Sequence, residues 1–404
     1  MSAATQLRAI SPPAPIAERD LACNSREFNL LTACCRAAWN PAENDRIRQL
    51  LLSPLDWDRL LTQAEHHGLV PLLFQFAAAF SNVVPLQHYN ALRLHGQQAA
   101  CRALWFTQEL HRILDRMQLA GIDVIAHKGP ALASLLYGDV AQRQFNDLDL
   151  LIRSRDVARA QFVLADLGYH GDAQFTELET RALLRTGYEQ VLHGPRGRNM
   201  VELQWRILPR FYAIDFDMEA CFQRSRTVQL GDRQCRTLSA EDLLLALCVH
   251  AAKHGWTQLS WLRDIAQLTR TSGLAWHFIA KESRRLGIER IVAINSALCR
   301  YLFGDCASWP ASTLQSDHAT NTIANDVLAS LKAGVTRQTA TFDYFRWMIS
   351  LRERRRDQAR LIWRLASTPH ISEWKKVKLP APLFSLYPFV RMARLAKRFA
   401  SGAT

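Results

Sequence analysis

The 404-residue chain has no apolar run long enough to cross a bilayer. Its N-terminus lacks the apolar centre of a secretory signal. It also has no Cys-x-x-Cys pair: the nine cysteines are scattered singly apart from Cys34-Cys35. An odd count without a framework excludes a disulfide scaffold and is expected of reduced, buried thiols in a cytoplasmic protein. Acidic residues are scarce at the C-terminal end. From Leu351 to Thr404 there are 13 Lys and Arg against three acids, a net +10 of the overall +13, so the other 350 residues are close to neutral. That neutral body, without an aromatic and basic strand-binding face, argues against polymerisation on nucleic acid.

What is present is a soluble globular composition, 49% hydrophobic and 22% charged, in a chain long enough for two or three structural units. Residues 1–26 are rich in Ala, Pro and Ser without periodicity and are predicted to be disordered. Residues 27–120 read as helices. Asp45 is placed to cap a helix through Leu52, and Asp56 to cap Trp57–His67, ended by Gly68. Pro71–Phe80 and Gln87–Ala120 follow as helices. Residues 121–238 hold the strand signals, 239–350 are helical again, and 351–404 form a basic helical tail.

The informative stretch is IDVIAHKGPALASLLYGDVAQRQFNDLDLLIR, Ile122 to Arg153. Ile122–Ala126 is apolar and β-branched, a strand. Gly129 permits a sharp turn and Pro130 suits a first helical position, so Ala131–Tyr137 is a short helix. A second strand carries Asp147 and Asp149. Residues i and i+2 of a strand share a face, so the two carboxylates project together while Leu148 and Leu150 pack behind. Their repulsion is relieved by a hard divalent ion, typically Mg²⁺ held by one or two carboxylates and substrate phosphates. The helix start at Gly129-Pro130 offers backbone N–H groups and a favourable dipole to phosphate, and Lys128 adds a charge. A phosphate cradle followed by metal-binding carboxylates is the arrangement nucleotidyl transfer requires.

Arg155–Leu167 follows as an amphipathic helix with Val157, Phe162, Val163 and Leu167 on its apolar side, then Thr176–Thr186 as another. Tyr188–His193 and Met200–Ile207, joined by Gly194-Pro195-Arg196-Gly197, read as a hairpin. It carries Glu202 between Val201 and Leu203, which is either a solvated acid or, beside the Asp pair, a third metal ligand.

Gly, a short helix and Asp-x-Asp on a strand resemble the nucleotidyltransferase superfamily typified by DNA polymerase β. The longer string Lys128-Gly129, Tyr137, Arg143, Asp147-Leu148-Asp149-Leu150-Leu151 and Gly168-Tyr169 is similar to a branch encoded near bacterial lasso-peptide and exopolysaccharide biosynthesis genes. The resemblance implies an α/β (α+β) fold with a small mixed sheet between helical regions. It implies Asp147, Asp149 and Glu202 as catalytic metal ligands for two Mg²⁺ ions. Lys128, Gly129, Arg143, Lys253 and His254 are then nucleotide-binding, an NTP is the substrate, and a small molecule, peptide or protein is the acceptor. Two positions depart from the pattern. Gln204 stands where an acid-Leu-His-Trp sequence has His, and Gly129-Pro130 replaces a Gly-Gly or Gly-Ser turn, removing one N–H donor.

Ser239 opens a helix, Leu243–His254, in which His250 and His254 have metal-ligand spacing but lack the Glu of a zinc peptidase motif. With Lys253 they are expected to line the cleft or satisfy core polar groups. Asp264 is expected to be structural, holding Arg263 or a helix start. Trp276–Leu286, Arg290–Phe303 and Thr322–Ala333 are further helices, with a polar linker at Pro310–Thr320. The arginines of Phe342–Arg360 are expected on a solvated helix face. The last helix, from about Leu386 to Phe399, is amphipathic and basic. It suits contact with an anionic membrane or partner, and packing on the protein body is the favoured alternative. The sequence thus points to a Mg²⁺-dependent nucleotidyltransferase. The competing reading is a non-catalytic nucleotide-binding or scaffold subunit of a peptide or polysaccharide biosynthesis system.

Overall fold

The computed structural model describes residues 25–38, 40–172, 176–270, 273–304, 309–310, 317–334, 341–369, 377, 379, 383 and 386–400, the last six by backbone only. The stretch predicted to be disordered therefore lies outside the described residues, except that Ser25 and Arg26 begin the first helix. Lys375, Lys376 and Lys378 of the tail and residues 311–316 of the polar linker also lie outside.

Four short helices open the chain: α1 (Arg26–Ala37), α2 (Glu43–Leu52), α3 (Trp57–His66) and α4 (Val70–Ala79). Asp56 caps α3 through the Arg59 amide at 3.0 Å, as its position predicts. Asp45 does not cap α2. The chain enters that helix through a turn in which the Asn40 side chain accepts from the Ala42 amide, so Asp45 falls inside the first turn. The long α5 (Leu86–Leu119) leads to β1 (Val124–Ala126), α6 (Gly129–Tyr137), β2 (Asp147–Ile152), α7 (Val157–Asp166) and α8 (Glu177–Thr186). Then come β3 (Glu189–His193) and β4 (Met200–Gln204). The four strands form one mixed sheet in the order β1-β2-β4-β3. β2 runs parallel to β4, and the outer strands run antiparallel to their neighbours.

After α9 (Met218–Arg224), β5 (Arg226–Leu230) and β6 (Arg233–Thr237) form a second hairpin that sequence reasoning missed. Its signal is the two-residue loop Gly231-Asp232, with Gly231 at φ +64°. The helices α10 (Ala240–Lys253), α11 (Leu259–Thr269), α12 (Trp276–Leu286), α13 (Glu289–Phe303) and α14 (His318–Ala333) follow. The chain closes with α15 (Phe342–Ser350), α16 (Arg355–Ser367) and α17 (Tyr387–Ala400). No helix among the described residues is long and apolar enough to cross a membrane. The seven described cysteines are free, six of them buried.

The sheet separates two cores. Leu148, Leu150 and Ile152 of β2 face a core built with α5, α7 and the β5–β6 hairpin. On the other face, Leu151 joins a larger core shared by the first four helices and α10–α15. Asp147 and Asp149 belong to Leu151's face by the two-residue period of a strand, so the helical body lies over the carboxylates.

Phe162, placed on the apolar side of α7, is 70% exposed, because the helix starts only at Val157 and its buried stripe is Val157, Ala160, Val163 and Leu164. Phe342–Arg360 spans α15 and the start of α16. The break falls where Arg352 turns inward and donates to the Leu286 carbonyl at 2.9 Å, while Glu353 accepts from the Glu289 amide at the start of α13. Arg352 is therefore buried, not on a solvated face. At the C-terminus, packing on the body holds: Tyr387 is buried and donates to the Val377 carbonyl, and Arg391 of α17 donates to the Leu365 carbonyl of α16 at 2.7 Å.

Candidate active site

The site starts at the turn between β1 and α6. Gly129 has φ +56°, and a Cβ there would lie 3.3 Å from the Asp147 carbonyl oxygen. Glycine lets the N-terminus of α6 press against the start of β2. Lys128, the residue before the helix, extends its Nζ to Asp149 Oδ1 at 2.7 Å. Pro130 occupies an early helical position, where the lost N–H has no helical partner to forgo.

The parallel register sets Asp149 directly across from Glu202. Gln204, two residues further on the same face, donates its amide to Glu202 Oε2 at 2.9 Å and Asp149 Oδ1 at 3.1 Å. This glutamine ties two carboxylates together. Across from Gln204 on β3 is Glu189, a fourth acid that sequence reasoning missed. Its carboxylate is 3.4 Å from the same amide. On the opposite wall Lys253 of α10 donates to the Tyr188 hydroxyl at 3.1 Å, with its ammonium 4.9 Å from the ring centre.

The electrostatics follow from burial and crowding. Burial and then the charge of Asp149 push the Asp147 carboxyl up to about 6. Burial, Asp149 and Glu189 push Glu202 up to about 8. Glu189 is raised too, first by burial. Burial alone would raise Asp149 as well, but Lys128 and His127 beside it hold it down at about 2. Burial and the charge of Lys128 lower Lys253 from its ordinary value, against the pull of Glu189. Four acids and two lysines thus lie close enough to shift one another's charge. Hard oxygen donors with excess negative charge suit Mg²⁺. Among the described residues, no three His, Cys, Asp or Glu side chains already stand at metal-binding distance.

The remaining candidates divide. Arg143 is held by Asp264, Nε to Oδ2 at 2.9 Å, and Asp264 also accepts from the Tyr137 hydroxyl at 2.7 Å. Asp264 is structural as expected, but its partner is Arg143 and not Arg263, which reaches the Gln142 carbonyl. His254 packs against His250 and Trp261, ring centres 4.7 and 5.3 Å away. Burial lowers His254 to about 3, so at neutral pH it is an uncharged ring beside the site.

Residues 53–304 match the family model described as uncharacterised nucleotidyltransferase. The chain belongs to that family. No curated protein matches it. Among solved structures, the lincomycin-bound lincosamide antibiotic adenylyltransferase LnuA is similar at 17% identity and a TM-score of 0.30, over 40% of this chain and 94% of that one. The antibiotic-resistance factor ANT(2'')-Ia is similar at 15% identity and a TM-score of 0.30, over 49% of this chain and 92% of that one.

Proposed function

We propose that this nucleotidyltransferase moves a nucleoside monophosphate from an NTP to an acceptor nucleophile, with Asp147, Asp149 and Glu202 as ligands for two Mg²⁺ ions. The observation that supports it best is Asp149 opposite Glu202 on adjacent parallel strands, beside the α6 N-terminus and Lys128. When bound, the metal supplies charge neutralisation at the triphosphate and a more acidic acceptor. The chain's own residues do the rest. Lys128 and the backbone at Gly129 receive phosphate oxygens, with Lys128 exchanging Asp149 for substrate. Gln204 keeps the ionised Asp149 beside Glu202 by donating to both. Arg143, fixed by Asp264, adds positive potential near Asp147 without direct contact with an acid of the cluster.

In the reaction the acceptor oxygen bonds to the α-phosphorus, the bond from that phosphorus to the β-bridging oxygen breaks, and pyrophosphate leaves. The acceptor proton passes to a carboxylate of raised basicity, for which Glu189 and Glu202 are the candidates. Lys253 and Tyr188 form the wall on which the nucleotide or acceptor rests. We assign this chemistry to residues 121–238, flanked by the helical stretches 27–120 and 239–350. The acceptor's place in a bacterial peptide or polysaccharide pathway rests on sequence resemblance alone.

The test is incubation with each labelled NTP, Mg²⁺ and cell extract, with Asp149→Asn in parallel. Label appearing on an acceptor with wild type and not with the variant is expected. Thermal stabilisation by NTP without any transfer from any of the four would leave the scaffold reading in its place.

A further inference from the structure

A cavity of about 470 Å³ opens beyond the C-terminal ends of β2 and β4, at the opposite end of the sheet from Asp147. Arg153 lies four residues past Asp149 on β2, about 13 Å along a strand. None of the residues of the carboxylate site lines this cavity, and buried Leu151 lies between, so the cavity is separate from that site.

Its charges do not balance. Arg153, Arg155, Arg206 and Arg210 line it against Asp215 and Glu219. Both acids are already engaged. Glu219 takes Arg153 at 2.8 Å. Asp215 takes Arg360 and Arg364 of α16 at 2.5 and 2.7 Å, which brings two cations of the basic C-terminal region to the rim. The half-buried Arg206 guanidinium has no hydrogen-bond or ion-pair partner among the described residues. Burial and then Arg210 disfavour its charge, and the charge of Asp215, which already holds Arg360 and Arg364, offsets this only in part. The Arg210 guanidinium donates to the Arg185 carbonyl at 3.2 Å. Trp205, which also lines the cavity, keeps a buried Nε1–H without an acceptor. A half-buried cation and a buried donor left unpaired both cost stability that an anionic ligand would restore. Apart from Ser154, the remaining lining, Ile207, Leu208 and Phe216 among it, is apolar.

We propose that this cavity is a second ligand site, for a soluble phosphate monoester. Its phosphoryl oxygens engage Arg206 and Arg210, and its organic part lies on the apolar wall. Two guanidinium groups with no carboxylate hydrogen-bonded to them match a dianion, and the planar fork of arginine suits phosphoryl oxygens. The inference does not depend on the reaction assigned to the carboxylates.

Phenyl phosphate titrated into the full chain by calorimetry tests it. Saturable binding to one site is expected, absent with phenol and weakened about tenfold or more by Arg206→Ala. Arg210→Ala, at an exposed position, is the second variant and should weaken it in the same direction. Lys128→Ala, in the carboxylate site, should leave it unchanged. Binding lost in Lys128→Ala and kept in both arginine variants would place the ligand at the carboxylates and overturn the proposal. So would the absence of saturation below about 10 mM.

Discussion

The Gln204 side-chain amide lies between Asp149 and Glu202 and donates to both, at 3.1 and 2.9 Å. One neutral group with two N–H bonds thereby holds two acids that repel each other across adjacent strands. Gln204→Ala should leave both carboxylates short of a donor and lower stability by about 1–3 kcal/mol, read from urea denaturation at neutral pH. Equal stability of variant and wild type would mean that Lys128 alone holds the cluster.

The acids also predict a pH dependence. Burial and repulsion raise Glu202 to about 8 and Asp147 to about 6, whereas carboxyls of the unfolded chain ionise near 4. Between those values the folded state keeps protons that the unfolded state has released. The contribution of these acids is therefore greatest at about pH 4 and declines as pH rises through 6 and 8. Asp149, held at about 2, has the opposite sign: its contribution is present above about pH 4 and is lost only below that. Glu202→Gln should match wild type near pH 4 and exceed it above pH 8 by up to about 5 kcal/mol, the value of a rise from 4.5 to about 8. Saturating Mg²⁺ should flatten the wild-type decline. A stability difference that does not change with pH would refute the crowding account.

Lys128 and Asp149 should behave as a coupled pair. Repulsion between Asp147 and Asp149 considered alone makes Asp149→Asn stabilising. The 2.7 Å contact with Lys128 reverses that expectation, because the variant leaves a largely buried ammonium without its nearest anion. Asp149→Asn is expected to cost about 1–3 kcal/mol without ligand. In a double-mutant cycle with Lys128→Met, a coupling of about 1 kcal/mol or more is expected. Nucleotidyl transfer by Asp149→Asn should fall about 100-fold or more. A cycle that closes additively would show that Asp147 and Glu202 replace Asp149 as the partner of Lys128.

What could be seen in the sequence was set by short-range geometry. The strand, Gly-Pro turn, helix and Asp-x-Asp strand each have a local period or a turn residue, and so has the hairpin that brings Glu202 opposite Asp149. The β5–β6 hairpin had an equally local signal in Gly231-Asp232 and was overlooked. Other features have no local signature. Glu189 enters the site only through the register of β3 on β4, and nothing in Glu-Gln-Val-Leu-His marks it. The Arg143–Asp264 ion pair spans 121 positions. Arg352 sits in an arginine-rich stretch that composition assigns to solvent, yet the Leu286 carbonyl draws it inward. Gln204 looked like the loss of a functional histidine. The structure gives it a role that depends on which strands lie beside β4.

Glu189 and Lys253 lead to the last prediction. They face the carboxylates from β3 and α10, and each influences the other's charge, although neither is required to hold a metal. If Glu189 receives the acceptor proton, Glu189→Gln keeps the size and hydrogen bonding of the side chain but removes its basicity. The rate of transfer should then fall by about 10²–10⁴-fold with little change in NTP affinity. Lys253→Met should instead weaken binding of substrate and lift the Glu189 carboxyl further, since a cation that favours its charged form is gone. The pH–rate profile separates the two variants. Loss of Glu189 should remove the limb that rises with pH, and loss of Lys253 should move that limb to higher pH. An unchanged profile in Glu189→Gln would assign the proton to Glu202, whose own substitution must then alter both metal affinity and the profile together.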